Sequence, residues 1–135
     1  MATNDTYELC AGDVMARKFL IAAPEETIGV VAEKMVAANA GSALIVEFGR
    51  LIGILTSRDV LRAISERVHP SEARTRQWMT AEPVTAGLET PADEAARLMV
   101  AGGFHHLPVT DGDQPVGVLG LRAVAGALYT RMPGW

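Results

Sequence analysis

Cysteine, aromatic rings, basic charge and long apolar runs are all scarce in this chain, and each shortage excludes something. Among 135 residues there is one cysteine, Cys10. A lone cysteine makes no internal disulfide and no thiolate metal cluster, which fits a reducing, cytoplasmic setting. Lys and Arg number 12 against 16 Asp and Glu, for a net charge of −4. That balance argues against nucleic acid as a partner, since such proteins ordinarily show a basic face. No apolar run approaches a bilayer span, and Met1-Ala2-Thr3-Asn4-Asp5 lacks a signal-peptide core, so no membrane is expected. Aromatic residues are 5% of the chain, so Val, Leu, Ile, Ala and Met must build the core. No Ser-His-Asp order, P-loop or dinucleotide glycine turn stands out, so neither catalysis nor an obligatory cofactor is expected.

What the chain does have is a repeat. Slid against itself by sixty-four residues without a gap, Met15 falls on Met79, Glu25 on Glu89 and Ala32 on Ala96. Met35-Val36-Ala37 falls on Met99-Val100-Ala101, Gly53 on Gly117, Leu55 on Leu119 and Arg58 on Arg122. An ungapped self-match over about fifty residues marks two copies of one structural unit. The expected organisation is a lead-in segment 1–13, repeat one over 14–67, a polar linker 68–77, repeat two over 78–131 and a tail 132–135. Trp135 lies in that tail, and the sequence gives it no role.

Each copy shows the same order of elements. A short extended piece (Phe19 to Ala22; Val84 to Ala86) precedes a helix bearing Ile28, Val31 and Met35, or Ala95, Leu98 and Met99. Thr90 reads as the N-cap of the second such helix, with Pro91 at its first position. Two strands follow (Ala43 to Val46 with Leu51 to Leu55; Leu107 to Val109 with Val116 to Leu119). A closing helix begins at Ser57 or Leu121. The pattern is β-α-β-β-α twice, an α/β (α+β) fold. Two such copies are expected to bury their sheet faces by pseudo-two-fold symmetry in one module with two equivalent clefts.

The strand-to-helix junction Gly53-Ile54-Leu55-Thr56-Ser57-Arg58-Asp59 carries the chemistry. One reading is a capping box, Thr56 and Asp59 each closing a free backbone N–H. The other is a ligand site. A hydroxyl, a carboxylate and a helix N-terminus converge there, a carboxylate can accept from both hydroxyls of a sugar diol, and Gly53 lets a ligand approach the backbone. His105-His106 precedes a buried-looking strand. Adjacent histidines on extended chain point apart, so they do not read as a metal site.

The repeat, the motif at Gly53 to Asp59 and the segment Phe104-His105-His106-Leu107-Pro108-Val109 together make the chain resemble a tandem pair of cystathionine-β-synthase (CBS) domains, a Bateman module. The resemblance spans nearly the whole chain. It implies a non-enzymatic regulatory or sensor module binding an adenosyl ligand, such as AMP, ADP, ATP or S-adenosylmethionine, between the repeats. Thr56 and Asp59 would take the ribose, and Ile54 and Val84 would flank the base. His105, His106 and Arg58 would face the phosphates. The second junction departs from the pattern, since Gly120 and Ala123 stand where Thr56 and Asp59 would, and Gly41 and Ser42 where the histidines would. One occupied cleft is therefore expected. The alternative is a ligand-free dimerisation or scaffolding module with decayed pockets. A homodimer through alanine-rich helix faces (Ala32, Ala37, Ala96, Ala101) and a regulated protein partner of unknown identity are also implied.

Overall fold

The computed structural model describes residues 8–130. They form six helices and seven strands in the order α1 (Ala11–Val14), β1 (Leu20–Ala22), α2 (Ile28–Ala38), β2 (Ser42–Glu47), β3 (Arg50–Thr56), α3 (Ser57–Ser65), α4 (Thr75–Trp78), β4 (Thr80–Ala81), β5 (Ala86–Gly87), α5 (Ala92–Gly102), β6 (His106–Asp111), β7 (Gln114–Gly120) and α6 (Leu121–Tyr129). The fold is α+β, with one sheet ordered β1-β2-β3-β4 and another ordered β5-β6-β7. No described helix is long and apolar enough to cross a membrane.

The chain separates into two compact units. One holds residues 18–84 with 112–115; the other holds, of the described residues, 8–17, 85–111 and 116–130. Each has its own core. In the first, Ala22, Ile28, Val31, Met35, Ile45 and Leu55 are buried together. In the second, Ala86, Ala92, Ala95, Met99, Val109 and Leu119 occupy the matching repeat positions. Period-3.6 apolar residues on α2 and α5 and alternating ones on the strands thus converge on one face each.

These units do not coincide with the sequence repeats. The leading segment of repeat one, Met15 and Ala16, lies on the sheet of repeat two, where Ala16 bridges Val118. The leading segment of repeat two, Met79 to Ala81, lies on the sheet of repeat one, where Thr80 pairs with Ile54 and Ala81 with Gly53. The stretch expected as a polar linker includes the first three residues of α4; its Ala73 belongs to the first core and its Thr75 is buried.

Within the first unit, β1 runs parallel to β2, and β2 antiparallel to β3. The two-residue turn between them has Phe48 at φ 54° and Gly49 at φ 78°. Two consecutive positive φ values match the right-handed twist of a tight hairpin. α2 ends where Asn39 turns left-handed at φ 53°, its N–H bonding back to Met35 and Val36 carbonyls. At the start of α5 the expected cap shifts by one residue. Pro91, not Thr90, precedes the first helical residue, and the Thr90 hydroxyl instead accepts from the Gly87 N–H at 2.9 Å. Thr90 closes the turn before the helix, and no side-chain bond caps α5.

Candidate functional site

The junction of β3 and α3 is set by a close approach on one side. A side chain at Gly53 would place its Cβ 2.5 Å from the Met79 sulfur and 3.1 Å from the Thr80 carbonyl. Gly53 therefore makes room for a thioether and a paired strand, not for a ligand against the backbone. The same holds at Gly117, which lies under Met15. The match of Met15 with Met79 and Gly53 with Gly117 is one packing contact used twice.

Past Gly53 the strand alternates. Leu55 points into the core, and Ile54, on the other face, is 5% exposed. Thr56 is still extended at φ −115° and ψ 166°, and α3 starts at the next residue. The capping box is complete. The Thr56 N–H donates to Asp59 Oδ2 at 2.9 Å, and the Asp59 N–H donates to Thr56 Oγ1 at 3.3 Å. The Thr56 hydroxyl also donates to Oδ2, at 3.1 Å. Asp59 Oδ1 accepts from Arg62 at 3.4 Å, one turn along the helix. Asp59 is 8% exposed although it carries a charge. Burial of a carboxylate is tolerated here because it accepts three hydrogen bonds, one of them from the Arg62 guanidinium.

The remaining candidates divide between the units. Arg58 and Val84 belong to the same unit as Asp59, and both are exposed. Arg58 has no ion pair among the described residues. His105 and His106 belong to the other unit, where His106 opens β6 and the His105 carbonyl accepts from the Leu121 N–H at 2.9 Å. Burial, with the neighbouring His105 charge adding to it, holds the His106 imidazole below its ordinary value of 6.5. At the second junction Gly120 caps α6 with no side-chain bond, and Ala123 offers no carboxylate. Cys10 is half-buried, and its backbone N–H donates to Asp13 at 2.8 Å. Trp135 lies outside the described residues.

The CBS domain family model matches this chain twice, over residues 11–66 and 76–130. The chain belongs to the CBS domain family. Among curated relatives, the CBS domain-containing protein CBSCBSPB1 of Arabidopsis thaliana is 39% identical over 100 residues, covering 73% of this chain and 18% of that protein. The chain thus spans under a fifth of that relative's length. Among solved structures, the CBS domain pair of protein MJ0100, in complex with 5′-methylthioadenosine and S-adenosyl-L-methionine, superposes with a TM-score of 0.83 at 22% identity, covering 93% of this chain and 100% of that one. The CBS domain protein PAE2072 from Pyrobaculum aerophilum, complexed with AMP, gives 0.80 at 23%, covering 90% and 99%. Both likenesses show the CBS fold. Sequence reasoning missed Arg62 as a partner of Asp59 and Trp78 as a partner of Arg62. The spacing of Asp59 and Arg62, three residues apart on one helix, was the available signal.

Proposed function

We propose that this CBS pair is a regulatory module that binds one adenosyl ligand per chain and catalyses nothing itself. The observation that carries this reading is the asymmetry of the two junctions. Thr56 and Asp59 are paired at the end of β3, whereas Gly120 and Ala123 leave the equivalent place without hydroxyl or carboxylate. The AMP complex of PAE2072 and the 5′-methylthioadenosine and S-adenosyl-L-methionine complexes of MJ0100 support the ligand class. In this reading Asp59 accepts from the ribose diol through lone pairs that the cap leaves open, since each carboxylate oxygen has two. His105, His106 and Arg58 take the phosphates when the ligand has them. Ile54 and Val84 flank the base. Calorimetric titration with AMP, ADP, ATP and S-adenosylmethionine tests it. One ligand per chain is expected, and Asp59→Ala should weaken it roughly ten- to a hundredfold. Two equal sites per chain overturn the assignment.

One observation favours the alternative, a ligand-free scaffolding module: Thr56 and Asp59 already satisfy each other in the cap. Under that reading Asp59→Ala lowers only the melting point, and no member of the panel binds. Association of two copies through the helices is part of the proposal in either case. Exposed Val36 and Leu61 rim an open groove of about 540 Å³ between α2 and α3, with Ala32 and Ser57 in its wall.

A further inference from the structure

Asp59 is not alone in its unit. Arg62 donates from one terminal nitrogen to Asp59 Oδ1 at 3.4 Å and to the Trp78 carbonyl at 3.2 Å. Its guanidinium carbon lies 5.0 Å from the centroid of the Trp78 ring. Trp78 ends α4 and packs against the core of residues 18–84. A guanidinium suits this place because it is planar, permanently charged and able to stack and donate at once. A lysine ammonium could donate to the same two oxygens but has no planar face to lay over the indole.

The second unit supplies an internal comparison. Sixty-four residues along or back, Asp59, Arg62 and Trp78 are matched by Ala123, Gly126 and Val14. The three are present together beside Thr56 and absent together beside Gly120. Helix surface alone gives no reason for a tryptophan on α4 to vary with a carboxylate on α3. A shared task does.

We propose that Arg62 is a positioning residue: it holds the plane of the Asp59 carboxylate and ties the state of that carboxylate to Trp78, at the start of the second sequence repeat. The ligand-dependent half of this rests on the adenosyl reading above; the ligand-free half does not. In the free protein, the Asp59 charge anchors Arg62 over the indole. When a ribose diol shares Oδ1, Arg62 loses part of that anchor and shifts against Trp78. Occupancy at α3 is thereby felt at α4.

The test uses the full chain with Trp135→Phe, which leaves Trp78 as its one indole. Emission is read without ligand for this protein, Asp59→Asn, Arg62→Met and the double variant. Asn keeps the cap acceptor and removes the charge. Asp59→Asn is expected to shift Trp78 emission when Arg62 is present and to do nothing when it is Met. An equal shift in both backgrounds overturns the link. AMP is then titrated by calorimetry and by emission. With Arg62 present, AMP should bind and move Trp78 emission. Arg62→Met should weaken AMP roughly three- to tenfold and abolish the emission change, and Arg62→Lys should restore affinity only in part. AMP binding of undiminished strength with Arg62→Met overturns the positioning role. If no adenosyl ligand binds the parent chain, the adenosyl reading fails, and the ligand-free cycle alone decides whether Arg62 couples Asp59 to Trp78.

Discussion

Thr75 has the one side-chain polar atom among the described residues that is buried without a hydrogen-bond partner. The residue is fully enclosed, and its repeat counterpart, Ala11, is equally buried and has no hydroxyl. A buried hydroxyl left unpaired costs about 1–3 kcal/mol. Thr75→Val keeps the branched shape and removes the oxygen, so it should stabilise by about 1 kcal/mol and raise the melting point by a few degrees. Thr75→Ala should gain less, because it also empties the space of a methyl group. A melting point that falls with Val would mean that the hydroxyl has an unseen water partner. The same scale shows what a sequence cannot express. Gly53 reads as a place where a ligand nears the backbone, but a glycine shows only that something comes close. That the visitor is the Met79 sulfur follows from folding, although the parallel matches of Met15 with Met79 and Gly53 with Gly117 held the hint.

Elements were more legible than their fastenings. The spacing of Ile28, Val31 and Met35 gives α2, yet nothing in it names Glu26 as the strap at its entry. Glu26 Oε2 accepts from the Ala23 N–H at 2.8 Å, and Oε1 meets Lys34 Nζ on α2 at 2.6 Å. Burial pushes the carboxyl up, but the bonds from Lys34 and Ala23 and the Lys34 charge outweigh it, so its pKa lies below the ordinary 4.5. A carboxylate with a lowered folded pKa contributes stability in full above its unfolded value, and loses it as pH falls through the folded one. Lys34 is 45% exposed, so solvent screens the pair and the contribution is small. Glu26→Gln should cost about 0.5 kcal/mol at pH 7. Urea melts of the two proteins should converge as the pH drops below about 4. A gap that persists at pH 3 would assign the effect to packing. Likewise Thr90 looks like a cap in sequence because Thr-Pro so often opens a helix, and only the bend at Gly87 shows its hydroxyl already engaged.

For the whole molecule, the β-α-β-β-α order of each repeat was legible from apolar periodicity, and the family from the self-match taken together with the motif at Gly53 to Asp59 and the segment 104–109, whereas α1, α4 and β4 were not foreseen. The grouping of the leading segments was not legible either, because Met15 suits Gly53 and Gly117 equally well and repeated sequences carry no address. The grouping predicts how fragments behave. Residues 18–84 expressed alone should unfold cooperatively in urea. Residues 14–67, one sequence repeat, should not, since they lack Ala73, Thr75, Met79 and the edge strand at Thr80–Ala81. Comparable cooperativity in both would mean that the leading segments add nothing to the cores. The same grouping governs the order of events on the ribosome. The partners of Ala11, Met15 and Ala16 include Leu119, Gly117 and Val118, about a hundred residues further along. At ordinary rates of synthesis that is a wait of roughly five to twenty seconds. Over that interval α1 and the residues just after it have their apolar side chains facing water or a chaperone, while residues 18–84 can already close around their own core.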